Sequence, residues 1–323
     1  MRTGALIVTW NSAGAIRSCL EAVLPHVARV VVIDNASKDE TVAAARAAGA
    51  QVIANPVNRG FAAAVNQGFA ALDDCEAVLL LNPDAILVEG LEALRDELAA
   101  LPEVAVATGE LVDAAGRPQR GFSPRAFPTP AALAMESLGL NRLWARNPVN
   151  RRYRCLDFDF TRPADVEQPA GAFLLIRHEA WRRAGGFDET FHPLWFEDVD
   201  FLKRLRDANW RVRYLPQARA RHLGAHSIRQ LAWDRRQLFW YGSLLRYAVR
   251  HFRLSGAAMV AAAVILGSAP KAVTGMIQRR SIQPLGVYGQ LVRLTLGCFR
   301  AGRHRSGSAP FEARCARDVR SPM

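Results

Sequence analysis

Apolar residues come in four short blocks along the first quarter of the chain: "GALIVTW", "RVVVID", "AQVIAN" and "AVLLLN". None alternates with polar positions, which is the pattern of a strand covered on both faces. Between the blocks, in "AIRSCLEAVL", "SKDETVAAARAAG" and "RGFAAAVNQGFAAL", apolar side chains recur three and four apart and predict amphipathic helices. Ser37 with Glu40 three positions later has the layout of a capping box, and Gly49 suits the helix end. Strands alternating with helices predict an α/β domain with a mostly parallel central sheet and flanking helices.

From about 110 to 165 this pattern dissolves, and "AAGRPQRGFSPRAFPTP" reads as a long loop over the sheet. Order resumes in "GAFLLIRHEAWRRAGGF", a strand and short helix, and "WRVRYLPQARARHLG" adds a last strand ending near His222. In between, "HPLWFEDVDFLKRL" sets Glu197, Asp198 and Asp200 directly behind Leu194, Trp195 and Phe196. Acids suit the positive end of a helix dipole, and an acid beside large apolar groups is also placed to take a proton. Both readings stand together.

Charge redraws the picture at the C-terminal third. Of 323 residues, 42 are basic and 30 acidic, a net charge of +12. Residues 1–227 carry 26 basic and 27 acidic side chains, whereas residues 228–323 carry 16 basic and three acidic ones. Within that block a long helical pattern, "RQLAWDRRQLFWYGSLLRYAVRHFRL", precedes residues 254–270, which hold no charge. A membrane span, an in-plane anchor and a packed helix hairpin all fit such a segment. Arginines interleaved with an amphipathic helix and an uncharged stretch suit a lipid surface better than nucleic acid. The tail after 303 reads as disordered. Five scattered cysteines without a CxxC pair suit a reducing compartment, and "MRTGALIVTWN" lacks a signal-peptide layout, so the expected location is cytoplasmic.

In an open parallel sheet, ligands sit beyond the carboxyl ends of the strands. Polar residues stand at each of those ends: Thr9 and Asn11, Asp34, Asn55, then Asn82 and Asp84. Each is also an ordinary turn residue. In order, "VTWN", "IDNASKDET", "NRGFAAAVNQG", "LLLNPDA" and the long stretch from "GAFLLIRHEAW" through "FEDVDFLKRL" to "RHLGAHS" resemble family 2 glycosyltransferases, in their rhamnosyltransferase-like branch. The resemblance covers roughly residues 3–245. It implies the nucleotide-diphospho-sugar transferase (GT-A) fold and an inverting transfer of a sugar from a nucleotide diphosphate to an acceptor hydroxyl.

Carried onto this chain, the resemblance makes Asp198 the catalytic base, with Glu197 beside it. Asp84 matches the last acid of the family's metal-binding DxD, and His222 stands where related enzymes place a histidine near the metal; the implied cofactor is a divalent cation, Mg or Mn. Asn82 replaces the motif's first acid, yet one or two carboxylates suffice when phosphates complete a hard cation's shell. Thr9, Asn11, Asp34, Asn58, Gly60, Asn66 and Asn82 are the expected nucleotide side. Trp195 and Phe196 are an expected acceptor platform, and Gly171 either makes room for the sugar or serves its backbone angles.

Other functions are poorer matches. "TWNSAGAIRS" lacks the GxGxxG of a dehydrogenase, and no P-loop motif occurs. A glycine-rich pyrophosphorylase activation loop is also missing. The expected organisation is a GT-A domain over 1–227, with 1–109 binding the nucleotide sugar and 110–227 the acceptor. Residues 228–302 form a basic helical membrane-associated region and 303–323 a tail. The expected function is transfer of a sugar, favoured as L-rhamnose from dTDP-rhamnose, to a saccharide acceptor, lipid-linked in cell-envelope synthesis. It would work at the cytoplasmic face of the inner membrane, as a peripheral or monotopic protein without a nucleic-acid partner. The alternative is a non-catalytic, membrane-associated glycan-binding scaffold on the same fold.

Overall fold

The apolar blocks form strands. The structure, a computed structural model, describes residues 1–224 and 226–302; the tail expected to be disordered lies outside the described residues. These fall into two compact units, one of Met1–Phe127, Arg154–Glu189 and Glu197–Gln230, the other of Pro128–Tyr153, Thr190–Phe196 and the chain from Leu231.

The first unit holds strands β1 (Thr3–Thr9), β2 (Arg29–Asp34), β3 (Gln51–Ala54), β4 (Ala77–Leu81), β5 (Ala85–Glu89), β6 (Val104–Val112), β7 (Ala164–Asp165), β8 (Phe173–Arg177) and β9 (Arg211–His222). They make one nine-stranded sheet in the order β3-β2-β1-β4-β8-β6-β9-β5, with β7 paired to β9. β1, β4 and β6 are buried along their whole length; the apolar runs of β1 and β4 require it, and β6 buries Thr108 and Glu110 as well. β9, with arginine at every other position over Arg211–Arg213 and Arg219–Arg221, alternates between buried and exposed residues.

Direction decides where the strand ends meet. β3, β2, β1 and β4 are parallel, β8 runs antiparallel to both β4 and β6, and β6 is parallel to β9. The C-terminal ends of β1, β2, β4, β6 and β9 and the start of β8 therefore share one rim. The sheet is mixed: parallelism holds on the β3–β4 side, and antiparallel pairs enter with β5, β7 and β8.

Ile16, Leu20, Leu91, Leu94 and Leu98, from helices Ala13–Val23 and Leu91–Ala100, close a core with Ile7, Leu79 and Leu175. A second, aromatic cluster seats helix Glu197–Asp207: Trp181 stacks on Phe69 at 3.6 Å, and Phe201 packs on Trp181 and Phe187 at 5.0 and 5.3 Å. Gly68 lets its helix lie against β1, since a Cβ there would stand 2.1 Å from Leu6.

Two local expectations are corrected. The second helix begins at Thr41, with no capping box; Ser37 instead binds the end of β2, its amide donating to Asp34 at 2.9 Å. The stretch from 110 to 165 is not a single loop either. β6 runs to Val112, and helices occupy Pro130–Leu138, Leu140–Leu143 and Pro148–Tyr153. The first of these has ordinary punctuation, with Thr129 capping Ala132 N at 3.2 Å, Pro130 in the first turn and Gly139 at φ 78.

The second unit also contains helices Trp233–His251, Leu254–Arg279 and Gln283–Gly302. The uncharged segment 254–270 lies within Leu254–Arg279, whose face of Ala257, Val260, Ala261, Val264, Gly267 and Ser268 is buried. Gly267 is needed there, because a Cβ would lie 2.2 Å from the Ser137 carbonyl.

Candidate active site

At the end of β4, Asn82, Pro83 and Asp84 turn the chain into β5, with Ala85 N donating to Asn82 O at 3.0 Å. Leu81 pairs with Phe173, and Ala85 with His222. Asn82 N donates to Ala172 O at 3.1 Å, and Leu223 N to Asp84 O at 3.0 Å. The sheet's register thus brings Asn82, Asp84, Gly171 and His222 to one place.

Asp198 joins them through Gly171, whose amide donates to Asp198 Oδ2 at 3.0 Å. A Cβ on Gly171 would sit 3.1 Å from that oxygen, so the glycine makes room for the carboxylate. The other oxygen, Oδ1, accepts Val199 N at 2.8 Å. Burial pushes the Asp198 carboxyl above its usual range, against the pull of these amides and of the nearby Arg125 guanidinium. That is the environment of a carboxylate whose proton affinity is raised, as a general base requires. Glu197, one residue earlier, is buried at the first position of the helix.

Asp200 differs sharply. It is 0% exposed and pairs with Arg204 Nε at 2.8 Å, while Arg204 also binds the carbonyls of Ala184 and Gly186. It holds the helix to the Gly185–Gly186 turn.

His222 Nε2 lies 3.5 Å from Asp84 Oδ1, both side chains buried. His222 Nδ1 lies 3.3 Å from Gln119 Oε1, and Nε2 has no hydrogen-bond partner among the described residues. A buried imidazole nitrogen facing a carboxylate fits a divalent cation between them. Among the described residues no three His, Cys, Asp or Glu side chains gather into a cage, so such a cation would need phosphate oxygens to complete its shell. Asp84 and His222 are the residues fitted to hold it.

At the other end of the rim, Thr9 Oγ1 donates to Asp34 Oδ1 at 2.9 Å, and Asn11 N donates to Ser37 Oγ at 2.7 Å. Asn11 sits at φ 48 and accepts Lys38 N at 2.7 Å. Asn58 Oδ1 accepts Gly60 N at 2.9 Å, and Gly60, at φ 83, opens the next helix. Asn66 exchanges hydrogen bonds with the Phe187 backbone, both at 2.9 Å, and faces that loop.

Trp195 and Phe196 belong to the second unit. Both have positive φ, 76 and 70, which is costly for aromatic residues. Phe196 is buried with its ring 5.4 Å from Tyr247, whereas Trp195 is half-buried.

Three residues escaped the sequence reading: Gln119, Phe122 and Arg125. Residues 113–117 form a turn, Val112 bridges Pro118 and Arg125 bridges Gln168, which returns the segment to the rim. Phe122 stacks on His222 at 5.5 Å with 19° between planes. No periodicity or motif marked them.

The family model "Glycosyl transferase family 2" matches residues 5–130. N-acetylglucosaminyl-diphospho-decaprenol L-rhamnosyltransferase of Mycobacterium tuberculosis is 32% identical over 217 residues, covering 61% of this chain and 67% of that protein. A rhamnosyltransferase of Escherichia coli is 26% identical over 174 residues, covering 52% of this chain and 62% of its own. Among solved structures, GalNAc-T7 with UDP, GalNAc and Mn2+ superposes with a TM-score of 0.52 at 14% identity, over 77% of this chain; the chain spans 50% of that structure's length. Glucosyl-3-phosphoglycerate synthase of Mycobacterium tuberculosis with Mn2+, uridine-diphosphate and phosphoglyceric acid reaches 0.50 at 15% identity, over 79% of this chain and 80% of that one. The fold is GT-A, and the chain belongs to glycosyl transferase family 2, among its rhamnosyltransferase-like members.

Proposed function

We propose that this glycosyltransferase moves a sugar, L-rhamnose from dTDP-rhamnose, onto a lipid-linked saccharide with inversion at the anomeric carbon. The observation that carries the reading is the Asp84–His222–Gly171–Asp198 constellation: Asp84 and His222 face each other at 3.5 Å, and beside them a carboxylate of raised proton affinity accepts the Gly171 amide at 3.0 Å. The choice of rhamnose and of a lipid-linked acceptor rests on the names of the relatives.

In this mechanism Asp198 takes the proton of the acceptor hydroxyl as its oxygen bonds to the anomeric carbon. The bond from that carbon to the diphosphate breaks on the opposite side, which leaves no need for an enzyme nucleophile. Gly171 holds the Asp198 carboxylate in place through its amide. A bound divalent cation, Mg or Mn, would offset the charge gathering on the leaving diphosphate. Asp84 and His222 would position it, and Asn82 would line the phosphate side. Thr9, Asn11, Asp34, Asn58 and Gly60 shape the nucleotide end. Glu197 is placed to orient the acceptor or the base.

The second unit supports docking on an anionic membrane surface. Leu254–Arg279 is one described helix long and apolar enough to cross a membrane. Opposite its packed face it exposes Leu254, Met259, Leu266, Val273 and Ile277, with Leu266 at 68% and Ile277 at 73% exposure. Lys271, the first charge along that helix, points inward to the Ser137 carbonyl and Tyr241 hydroxyl, and burial lowers its pKa to about 8. Between Asp234 and Glu312 the sequence has twelve basic residues and no acid. An apolar outer face flanked by arginines suits a helix lying in the plane of the cytoplasmic leaflet.

A nucleotide-sugar screen by thermal unfolding tests the donor. At one hundred times its dissociation constant the right donor adds about 2.7 kcal/mol of apparent stability, and with Mn2+ present dTDP-rhamnose is expected to give the largest shift. An equal shift for every nucleotide sugar, or none, would overturn the donor assignment. Asp84→Asn should abolish the Mn2+ dependence of that shift.

A further inference from the structure

Gln119 grips His222 at two points. Its Nε2 donates to the His222 backbone carbonyl at 2.7 Å, and its Oε1 lies 3.3 Å from the ring Nδ1. The carbonyl fixes which way round the amide lies, because only the NH2 end donates to an oxygen. The other end is then Oε1, which only accepts. The ring nitrogen facing it must therefore carry a hydrogen.

With the hydrogen on Nδ1, the neutral imidazole presents a bare lone pair at Nε2. Nε2 is the atom that lies 3.5 Å from Asp84 Oδ1 and has no hydrogen-bond partner among the described residues. For that neutral ring, lone pair and carboxylate repel each other unless a proton or a metal cation lies between them. Phe122, stacked at 5.5 Å, limits the ring's freedom to turn away.

We propose that Gln119 is a positioning residue: it holds His222 as the Nδ1–H tautomer, so that Nε2 is offered, together with Asp84, to a divalent cation carrying the donor's diphosphate. The inference rests on the glycosyl-transfer reading of the site. Its chemistry is that of an outer-shell partner, which orients a ligand it does not replace.

Two measurements on the full chain test it. The first is the 15N spectrum of the metal-free protein, with the His222 ring signals identified by their loss in His222→Gln. The second is titration with Mn2+ in the presence of dTDP. The wild-type ring should show Nδ1–H. Gln119→Leu should lose that tautomer and weaken Mn2+ binding about 10- to 100-fold. Gln119→Glu cannot donate to the His222 carbonyl but still accepts from Nδ1–H, so it should keep the tautomer and stay within a few-fold of wild-type Mn2+ affinity.

A purely structural role predicts otherwise, since Leu and Glu both remove the bond to the carbonyl and should fall together, and that pattern overturns the proposal. So does an Nε2–H ring in the wild type, or a Gln119→Leu protein that loses the tautomer and binds Mn2+ as before. A wild-type chain with Nδ1–H that binds no Mn2+ overturns the cation assignment of Asp84 and His222 along with it, and is told apart from the other failures by the intact tautomer signal.

Discussion

The two ends of the sheet's rim treat their carboxylates differently. At the end of β2, Asp34 is buried and both its oxygens accept hydrogen bonds, Oδ1 from the Thr9 hydroxyl and Oδ2 from the Ser37 amide. Its role there is architectural: it ties β1, β2 and the following turn into one frame. At the end shared by β4, β8 and β9, Asp198 is held by backbone amides and its proton affinity is raised by burial. A buried carboxylate tied up by side-chain and turn donors holds shape, whereas one whose charge is poorly solvated is ready to take a proton.

The same contrast recurs two residues apart in one helix. Asp200 has Arg204 at 2.8 Å; Asp198 has amides and a more distant Arg125. Asp198→Asn should lower turnover by about 10³-fold, within the range attributed to general bases, while the melting temperature holds or rises. The sign follows from linkage: a pKa raised by folding means that the ionised form opposes folding at neutral pH, and Asn removes that charge. Asp200→Asn should do the reverse, leaving Arg204 uncompensated at a cost of about 3 kcal/mol in stability. Should the two variants show the same ratio of lost activity to lost stability, the contrast fails.

The pH profile reads the same difference without a mutation. Asp198 must be ionised to act, so kcat/KM is lost as pH falls through its raised pKa, and the acid limb should lie above the ordinary carboxylate value of about 3.9. An acid limb at or below that value would point to a base other than Asp198.

Which parts of this were readable from the sequence follows from how each part is built. Strand ends are local: an apolar run stops at Thr9, Asp34 or Asn82, an arginine-alternating one at His222, and the rim can be anticipated from the succession of strands and helices. The β4–β8–β9 convergence then depends on β8 running antiparallel, a pairing between residues far apart in the chain. Gln119 lies further out of reach, because its segment is placed by bridges at Val112–Pro118 and Arg125–Gln168 and not by any periodicity. Helix Pro130–Leu138 is hidden in the sequence for a different reason. Its signals, Thr129, Pro130 and Gly139, were present but sat in a stretch dominated by loop-forming residues. Ser37 and Glu40 mimicked a capping box, although Ser37 had a stronger use beside Asp34. The nucleotide end was thus legible as a set of residues, and their hydrogen bonding to one another was not.

Gly171 sharpens the comparison on a smaller scale. A Cβ at 3.1 Å from Asp198 Oδ2 forces the carboxylate aside by a few tenths of an ångström. Gly171→Ala should therefore lower turnover about 10-fold, since misplacement of a full ångström costs on the order of 10², with little change in Mn2+ or donor affinity. A loss of donor affinity with turnover per bound donor intact would show that this glycine makes room for the sugar and not for the base.

Asn66 gives the smallest effect on chemistry and separates frame from site most cleanly. It stands on the helix after β3, where a nucleotide contact was expected, yet its amide both donates to and accepts from the Phe187 backbone at 2.9 Å. Gly186, at φ 71, comes so close that a Cβ would be 2.8 Å from Asn66 Oδ1. Phe187 in turn packs on Trp181 and on Phe201 of the helix that begins at Glu197. Removing the clamp should thus reach the active site only through the packing beneath that helix. Asn66→Ala leaves two backbone groups to find water, which costs about 2 kcal/mol of stability, while nucleotide-sugar affinity measured by calorimetry should stay within a factor of about two of wild type. A tenfold weaker donor affinity in a protein of unchanged melting temperature would return Asn66 to the nucleotide side and move the border between the two ends of the rim.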